Sequence, residues 1–212
     1  MLNVAVLVSG GGTNLQALID AQKDGKIKQG KLACVISSKA DAFAIERAKK
    51  AGIPTEVILR KNFSTAQAYD EALLELLQKY HADLVVLAGF MTIISETVIR
   101  NYRNKIINIH PSLIPSFCGA GYYGLHVHEA ALKKGVKVSG ATVHFVNEIC
   151  DGGPIILQNA VQVEQDDTPE RLQRRIMEQA EWELLPRAVS LFCEGRLCVE
   201  ENLVRILDEG KR

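Results

Sequence analysis

The first fourteen residues, MLNVAVLVSGGGTN (Met1–Asn14), contain the features that decide the fold. Leu2 to Val8 is a short, wholly apolar run, which is typical of a strand buried on both faces. Gly10 to Gly12 follow at once and predict a tight turn. Asn14 to Asp20 then has helical spacing, so the chain begins with a strand, a glycine-rich turn and a helix.

The same alternation continues through the first half of the chain. Further apolar runs predict buried strands at Leu32 to Ser37, Glu56 to Leu59 and Leu84 to Ala88. Amphipathic stretches between them predict helices at Asp41 to Ala51 and Thr65 to Tyr80. Strands that alternate with helices in this way form a parallel sheet covered by helices on both faces.

The pattern changes in the second half of the chain. Strand-like runs at Ile106 to Ile109, Ala141 to Val146 and Ile155 to Val163 lie closer together, and loops replace helices between some of them. Thr168 and Pro169 predict the start of a final long helix, because Thr caps a helix and Pro fits its first position. We therefore predict an α/β fold with a mixed sheet, parallel in its amino-terminal half and antiparallel in its carboxyl half.

Composition is that of an ordinary globular protein, with 47% hydrophobic and 24% charged residues. Lys plus Arg equals Asp plus Glu at 25 each, so no overall field favours nucleic acid or an acidic membrane. No apolar stretch approaches the roughly 20 residues that span a bilayer, and five scattered cysteines favour reduced thiols. We expect a cytoplasmic protein with small-molecule partners and neither nucleic acid nor a membrane. No linker or repeat is visible, so residues 1–212 are predicted to form a single domain.

The glycine-rich turn has two interpretations. Glycines let the backbone approach a ligand closely, and the amides at the start of the following helix suit a phosphate monoester. The usual dinucleotide fingerprint fails because Leu15 stands in place of its third glycine, and the P-loop pattern fails because no Gly-Lys-Ser/Thr follows. The alternative is a tight strand-to-helix turn capped by Thr13, with no ligand.

A second polar group is predicted at the end of the strand that starts at Ile106. Asn108 and His110 lie two residues apart, so both side chains point to the same side of a strand. An amide can donate to a developing oxyanion, and an imidazole transfers protons near neutral pH. Asp151, in a glycine-rich loop, could orient His110 and raise its pKa by stabilising the imidazolium. The alternative is a buried histidine satisfied by a backbone partner.

Four segments together resemble the folate-dependent formyltransferases in their order and spacing. They are Ser9 to Asn14, Leu87 to Met91, Asn108 to Leu113 and Asp151 to Pro154. The Asn, His and Asp set is shared by the wider family, whereas the amino-terminal turn and the compact length resemble phosphoribosylglycinamide formyltransferase. The resemblance extends from Met1 to about Gly195 and implies a Rossmann-like mixed sheet with the folate bound in the carboxyl half.

The resemblance also implies roles for individual residues. Asn108, His110 and Asp151 would form the catalytic triad. Residues 1–100 would form the phosphate-binding or nucleotide-binding half, and residues 101–212 the catalytic and folate-binding half. The substrate would be bound by Gly12, Thr13 and Asn14 at its phosphate and by Glu178 and Glu181 at its glycinamide end. The folate cleft would be lined by Met91, Thr92, Ile93, Ile94, Asn108, Asn147, Glu148, Ile149, Cys150 and Asp151.

The implied reaction moves the formyl group of 10-formyltetrahydrofolate, a co-substrate, to the amine of N1-(5-phosphoribosyl)glycinamide in de novo purine (IMP) synthesis. The amine would attack the formyl carbon, and the charge that grows on the formyl oxygen would meet Asn108 and protonated His110. His110, tuned by Asp151, would move the protons. No metal is required.

Three positions depart from the family pattern. Ala66 stands near the place of an Arg that often reaches the folate or its neighbours, and Trp182 follows Glu181 where a His is common. The segment from Phe117 to Gly124 is longer than in some members. Its glycines suggest a mobile loop over the cleft, and a plain surface loop is the alternative.

Two other formyltransferases fit less well. Formyltetrahydrofolate deformylase would use the same triad with water as the acceptor, but it usually has an additional amino-terminal regulatory domain, and this chain begins at the first strand. Methionyl-tRNA formyltransferase usually adds a basic carboxyl domain, and here only a short tail follows Gly195. Both comparisons favour the small-molecule acceptor.

Two readings outside the family also stay open. A zinc hydrolase could use His110, Cys118, His126 and His128, but the HExxH helix is missing. A non-enzymatic nucleotide-binding module would explain the glycine turn alone. His144, within a predicted strand, is interpreted as a structural core residue. Monomer and homodimer are both compatible with the apolar pattern.

Overall fold

The computed structural model describes residues 1–210, which form a mixed α/β fold around one sheet. Its strands are β1 (Leu2–Val8), β2 (Gly30–Ser37), β3 (Thr55–Val57), β4 (Leu84–Leu87), β5 (Ile106–His110), β6 (Val138–Phe145), β7 (Ile155–Gln162), β8 (Leu197–Glu200) and β9 (Leu203–Ile206). Its α-helices are α1 (Thr13–Lys23), α2 (Phe43–Lys50), α3 (Ala66–Lys79), α4 (Glu96–Asn101), α5 (Leu125–Lys134), α6 (Pro169–Ile176) and α7 (Trp182–Cys193).

The strand order across the sheet is β3-β2-β1-β4-β5-β6-β7-β9-β8. Strands β1 to β5 are all parallel to one another. Strand β6 pairs antiparallel with β5, and β7 pairs antiparallel with β6. The predicted mixed sheet is therefore confirmed. Beyond the prediction, β9 runs parallel to β7 through the single pair Ile155–Leu203, and β8 pairs antiparallel with β9 at the edge.

Helices cover both faces of the sheet, as predicted. In β1, Val4, Val6 and Val8 belong to one buried cluster, which also contains side chains of α1, α2, α6 and α7. Ala5 and Leu7 belong to the other cluster, which contains side chains of α3 and α4. This period-two partition is what a strand buried on both faces produces.

The third predicted strand differs most from its prediction. We expected a strand buried on both faces from Glu56 to Leu59, but β3 is shorter and its residues are half-buried or exposed. It is the edge strand of the sheet and pairs only with β2, so one of its sides has no neighbouring strand. That expectation was wrong because a short apolar run does not reveal whether its strand lies at an edge.

The long carboxyl-terminal helical segment is interrupted by a π-helical turn. Thr168 caps α6 by accepting a hydrogen bond from the Arg171 backbone N–H, and Pro169 takes the first helical position, which confirms the predicted start. The residues Met177–Glu181 form the π-helical turn between α6 and α7. Such a turn adds a residue to the helix and shifts the side chains that follow it.

The topology brings three chain segments to one edge of the sheet. Because β1, β4 and β5 are adjacent and parallel, the segments that follow Val8, Leu87 and His110 all leave the same edge. Neighbouring strands lie about 4.8 Å apart, so the ends of β1 and β5 are separated by roughly 10 Å. Ligands of open α/β sheets bind at this edge. No helix within residues 1–210 is both long enough and apolar enough to cross a membrane.

Candidate active site

Asn108, His110 and Asp151 come together at the end of β5. The Nδ1 atom of His110 lies 3.5 Å from Oδ2 of Asp151, and Nδ2 of Asn108 lies 3.5 Å from Oδ1 of the same carboxylate. His110 is buried, and its side chain and that of Asp151 retain only 5% and 9% of their exposure. The three residues that sequence reasoning grouped across 43 positions therefore share one buried polar cluster.

His144 belongs to the same cluster, which the sequence analysis missed. It lies opposite Asn108 in the β5–β6 pairing, and its Nε2 atom is 3.1 Å from Asn108 Nδ2 and 3.6 Å from Asp151 Oδ1. Its Nδ1 atom is 2.8 Å from the Phe145 carbonyl, which only accepts, so Nδ1 carries a proton. His144 is buried, as expected of a core residue, but its Nε2 faces Asn108 and Asp151.

The other nitrogen of His110 is held by the backbone of the following loop. Nε2 lies 2.9 Å from the carbonyl oxygen of Phe117, so Nε2 donates and Nδ1 is left facing Asp151. The two interpretations of His110, a backbone-satisfied core residue and a carboxylate-paired catalytic residue, are both partly right. The backbone contact sets the tautomer, and it makes Nδ1 the nitrogen that can gain or lose a proton.

The segment from Phe117 to Gly124 packs onto the catalytic cluster. Besides the Phe117 carbonyl on His110, the Gly119 backbone N–H donates to Asp151 Oδ2 at 2.8 Å. Phe117, Gly119 and Gly121 all have positive φ, so this path over the cluster depends on turns that glycine favours. The alternative of a plain surface loop was wrong, because the loop supplies hydrogen bonds to two of the three triad residues.

The charge states of His110 and Asp151 follow from burial and from their partners. Burial lowers the pKa of His110 below its usual value of 6.5, although the Asp151 charge and the Phe117 carbonyl act in the opposite direction. Asp151 does act to raise the pKa, as expected, but desolvation outweighs its effect, so the net shift is downward. Burial alone would raise the pKa of Asp151, but His144, His110 and the Gly119 amide together hold it below its usual value.

The glycine-rich turn leaves the amino end of α1 without a side-chain cap. Gly12 is the N-cap residue, with φ of 71° and no capping side chain, and the first turn contains no acidic residue. The alternative of a turn capped by Thr13 was wrong. A Cβ atom at Gly12 would overlap Ala44, so only glycine fits that position. Free backbone N–H groups at a helix start suit a phosphate.

A cation lies beside this turn, which the sequence analysis did not single out. Arg47 of α2 donates from Nε to the Gly11 carbonyl at 2.8 Å and from Nη1 to Gln16 at 3.0 Å. Its position one turn into an amphipathic helix gave no signal of this contact, because the contact spans 36 residues. The guanidinium adds positive charge next to the uncapped helix end.

Asn14, in the first turn of α1, and Glu181, at the end of the π-helical turn, form a second buried pair. Asn14 Nδ2 donates to Glu181 Oε2 at 2.6 Å, and Glu181 is only 6% exposed. Burial raises the pKa of Glu181 to about 7, against the lowering effect of Asn14. Oδ1 of Asn14 is buried and has no partner among the described residues. Nδ2 of Asn14 is thus committed to Glu181, whereas Oδ1 and the backbone N–H remain for a ligand.

Glu178, on the same π-helical turn, is placed differently from Glu181. It is exposed and pairs with Arg174 at 2.8 Å. Together with Thr13 and Arg47 it lines a groove of about 890 Å³ between α1 and α7. None of the triad residues lines this groove, so it adjoins the glycine turn rather than the catalytic cluster.

The segment after β4 presents apolar side chains at the same edge. Met91 and Ile93 are 52% and 89% exposed, and Ile149 on the β6–β7 loop is 68% exposed. Thr92 and Ile94 are half-buried between them. Exposed apolar groups of this kind gain by covering an aromatic ring such as that of a pterin. The Met91 backbone N–H donates to Ser9 Oγ at 2.8 Å, which ties this segment to the glycine turn.

The loop that leads to Asp151 is organised by Asn147. The Ile149 backbone N–H donates to Asn147 Oδ1 at 3.1 Å, and Asn147 Nδ2 donates to the Gly152 carbonyl at 3.3 Å. Glu148 is drawn away to Arg103, 2.7 Å distant. Asp151 itself has φ of 54°, a strained value for a non-glycine residue that its contacts maintain. Cys150 is exposed.

The histidines of the zinc interpretation do not converge. His126 is exposed and faces Glu129 at 3.1 Å, whereas His128 is fully buried and neither ring nitrogen has a partner among residues 1–210. Burial lowers the pKa of His128 to about 4, so the ring is neutral at physiological pH. No group of three or more His, Cys, Asp or Glu side chains in this part of the chain could hold a metal ion.

Comparison with known proteins gives the family directly. Residues 2–189 match the family model described as formyl transferase. The chain belongs to the formyl transferase family. This match covers every residue of the catalytic cluster and both sides of the Asn14–Glu181 pair.

Relatives within the formyl transferase family are similar over nearly the whole chain. Phosphoribosylglycinamide formyltransferase of Haemophilus influenzae is 46% identical, with 100% of this chain and 95% of that protein covered. The Escherichia coli protein of the same name is 45% identical, with coverage of 95% and 92%. The trifunctional purine biosynthetic protein adenosine-3 of Bos taurus is 45% identical over 94% of this chain, but only 19% of that protein is covered.

Solved structures of formyl transferases share the fold. Glycinamide ribonucleotide transformylase 1 from Symbiobacterium toebii superposes with a TM-score of 0.92 at 47% identity, covering 98% of this chain and 95% of that one. A formyltetrahydrofolate deformylase from Pseudomonas syringae superposes with a TM-score of 0.87 at 29% identity, covering 98% of this chain and 66% of that one.

Proposed function

We propose that this formyl transferase moves the formyl group of 10-formyltetrahydrofolate to the amine of N1-(5-phosphoribosyl)glycinamide, a step of de novo purine (IMP) synthesis. The observation on which this rests is the buried cluster of Asn108, His110 and Asp151 at the same sheet edge as an uncapped helix start. That edge can bind a phosphate at one end and perform acyl transfer at the other. The named relatives at 45–46% identity support the choice of acceptor.

The phosphate of the ribonucleotide would bind at the glycine turn. The backbone N–H groups of Gly12, Thr13 and Asn14 lie at the uncapped start of α1. The helix dipole and Arg47 favour negative charge there. The roughly 10 Å between the ends of β1 and β5 is a span that a ribose and its glycinamide arm can bridge. A phosphate anchored at β1 therefore places an amine near the triad at β5.

The amine would be received by Asn14 and Glu181. An ammonium needs acceptors, and the buried Oδ1 of Asn14 lacks a donor while Glu181 offers a carboxylate. With a pKa of about 7, Glu181 can take a proton from the ammonium as the pair binds it. This supports a role for Glu181 at the glycinamide end. Glu178, exposed and paired with Arg174, would act at the rim of the same site.

Acyl transfer would begin with His110 in its neutral form. Because the Phe117 carbonyl fixes the proton on Nε2, Nδ1 is free to accept a proton from the attacking amine. The imidazolium formed in this way is stabilised by Asp151, 3.5 Å away, and can then donate to the formyl oxygen or to the leaving folate nitrogen. A neutral resting histidine is suited to accepting the proton of the amine, and the ionised Asp151 is suited to stabilising the imidazolium that results.

Asn108 would donate to the oxyanion. One of its two Nδ2 hydrogens is held by His144 at 3.1 Å, whereas the other makes only a long contact of 3.5 Å with Asp151. That second hydrogen can turn to a formyl oxygen at little cost. Removing one such donor typically costs about 2.7–4 kcal/mol in the barrier. His144 thus positions the amide and fixes which hydrogen is available.

The folate would lie against the exposed apolar groups at the same edge. Met91, Ile93 and Ile149 provide surface for the pterin and benzoyl rings, with Thr92 and Ile94 between them. The backbone around Asn147, Glu148, Cys150 and Asp151 provides polar groups for the edge of the pterin.

We further propose that residues 1–212 act as one domain in the cytoplasm, as monomer or homodimer, with small-molecule substrates and without a metal, nucleic acid or membrane.

A spectroscopic assay tests the proposal. Purified protein is mixed with 10-formyltetrahydrofolate, with and without the ribonucleotide, and the folate absorbance is followed. We expect loss of the formyl group only when the ribonucleotide is present. Loss in both tubes would replace the proposal with a deformylase, and no loss in either tube would leave a binding protein.

A further inference from the structure

Two cysteines flank the contact between the catalytic loop and Asp151. Cys118 directly precedes Gly119, whose N–H donates to Asp151, and Cys150 directly precedes Asp151 itself. Oδ2 of Asp151 lies 2.8 Å from the Gly119 nitrogen and 3.9 Å from the Cys150 sulfur. The two thiols therefore belong to different loops that meet at one carboxylate oxygen.

The other cysteines are placed differently. Cys34 and Cys193 are buried, and burial raises the pKa of each thiol to about 12, so neither is reactive. Cys198 is half-buried on the edge strand β8, which β6, β7 and β9 separate from β5. Cys150 is exposed and Cys118 is half-buried, so a small oxidant reaches Cys150 more readily than Cys118.

We propose that Cys118 and Cys150 form a reversible disulfide that fastens the loop over His110 to the loop of Asp151 and stops formyl transfer. This regulation rests on the proposed function of the same site. Disulfides join cysteines whose Cα atoms lie about 4.4–6.8 Å apart. Cys118 and Cys150 each lie one residue from the Gly119–Asp151 contact, so the cross-link requires the two loops to bring the two Cα atoms into that range. Gly119 and Gly121, with positive φ, follow Cys118 and can absorb the movement that it requires.

In the reduced protein Cys118 is turned toward its own loop. Its S–H donates to the Pro115 carbonyl at 3.3 Å, so the side chain must leave this weak contact to reach Cys150. Burial and the Asp151 charge raise the pKa of both thiols. The disulfide should therefore form slowly at neutral pH and faster at alkaline pH, where more thiolate is present.

The chemistry needs a two-electron oxidant, for which a small-molecule disulfide such as oxidised glutathione suffices. The Cys150 thiolate attacks one sulfur of that disulfide, and a mixed disulfide forms while one glutathione thiolate leaves. The Cys118 thiolate then attacks the Cys150 sulfur and displaces the second glutathione. Two protein thiols are oxidised, one small disulfide is reduced to two thiols, and both protons pass to the solvent or to the departing thiolates.

The cross-link would act on both substrates of the site. Because Cys118 must leave the Pro115 carbonyl to reach Cys150, the cross-link would shift its neighbours Phe117 and Gly119 and disturb their contacts with His110 and Asp151. It would also tie down the loop from Asn147 to Asp151, which the proposed function assigns to the folate. The enzyme would be inactive while cross-linked and active again on reduction.

Peptide mapping after oxidation tests the proposal. The reduced protein is incubated with oxidised glutathione, the remaining thiols are alkylated, and the digest is analysed by mass spectrometry beside a rate measurement. In the wild type we expect a peptide pair joining Cys118 to Cys150, a loss of rate equal to the cross-linked fraction, and full recovery with dithiothreitol. Cys118→Ser should instead retain glutathione on Cys150, since no thiol displaces it. Cys198→Ser, the matched control, should behave as the wild type.

Two results would overturn the switch. One is a wild-type digest in which glutathione stays on Cys150 and no Cys118–Cys150 peptide pair appears. The other is cross-linked protein that transfers formyl groups as fast as the reduced protein. If the untreated protein transfers no formyl group, the proposed function fails, while the peptide map still decides whether the disulfide forms.

Discussion

Asp151 and Glu181 are two buried carboxylates whose surroundings shift their pKa values in opposite directions. Asp151 receives the Gly119 N–H at 2.8 Å and lies within 3.6 Å of two imidazoles, so its pKa is lowered. Among residues 1–210 only the Asn14 amide donates to Glu181, so burial prevails and its pKa rises to about 7. Burial disfavours the charged form of both carboxylates, and nearby hydrogen bonds and charges outweigh it at Asp151 but not at Glu181.

The difference assigns the two carboxylates separate tasks. An ionised Asp151 can stabilise the imidazolium of His110 through the transition state, whereas Glu181, near neutrality, can exchange a proton with the incoming amine. Pairs of titratable groups whose environments push their pKa values apart are the usual arrangement for acid–base catalysis. Three of the four predictions that follow remove a titratable group of this arrangement, and the fourth alters the glycine turn beside it.

His110→Ala should have the largest effect, because it removes the group that moves protons in the proposed transfer. General acid–base groups typically contribute about 10²- to 10⁴-fold, so we expect kcat to fall by roughly 10³-fold with little change in substrate affinity. Steady-state kinetics measures this, and His81→Asn, at an exposed position before β4, is the matched control. An alanine variant that turns over at the wild-type rate would remove the mechanism.

Asp151→Asn should lower kcat by at least about 10²-fold and also move the pH profile. The Asp151 charge raises the pKa of His110, so its removal lets burial depress that pKa further. The acidic limb of the rate profile, which reports the neutral form of His110, should therefore move to lower pH. An acidic limb that stays in place, or moves upward, would mean that Asp151 does not tune His110.

Glu181→Gln should make stability less dependent on pH. The folded pKa of about 7 lies above the usual value of 4.5, so the folded state binds the proton more tightly, and stability falls as pH rises from about 4.5 to about 7. The loss is at most about 3 kcal/mol. Urea unfolding at pH 5 and pH 8 should show that the free energy of unfolding of the variant, relative to that of the wild type, is higher at pH 8 than at pH 5. Glu178→Gln, three residues earlier and exposed, should show no such gain.

Gly12→Ala should have the smallest effect of the four. The residue has φ of 71°, and a Cβ atom there would overlap Ala44, so we expect a loss of about 1–3 kcal/mol in stability together with a higher KM for the ribonucleotide. Gly11→Ala is the control for stability, because a Cβ atom at that position meets nothing. Equal melting temperatures for the two variants would show that the turn tolerates a side chain.

The sequence alone predicted those features of the fold and the candidate site for which local pattern and side-chain chemistry agree. The strand at Leu2–Val8 matches its predicted bounds, because a buried strand and a glycine turn both mark its end. Asn108, His110 and Asp151 were grouped correctly, since strand alternation and a family resemblance pointed to the same three residues. The roles of these residues, and of the substrate and folate contacts, stay predictions until kinetics tests them.

The features that were missed depend on distant parts of the chain. His144 joins the cluster because β6 pairs antiparallel with β5 in a register that places His144 opposite Asn108. A prediction of that register from the sequence would have identified His144 as a member of the cluster. The Phe117 carbonyl and the Gly119 amide are backbone groups, which no residue type announces. The pKa of His110 is a balance between burial and a nearby charge, and sequence gives the charge but not the burial.

Carbon-13 NMR of the side-chain carboxyls tests the central claim most directly. Protein labelled at Asp and Glu carboxyl carbons is titrated, with Asp151→Asn and Glu181→Gln samples to assign the two signals. The account predicts that Glu181 titrates near pH 7 and that Asp151 stays ionised to below pH 3.8. Two carboxyls that titrate together near their usual values, or in the reverse order, would contradict it.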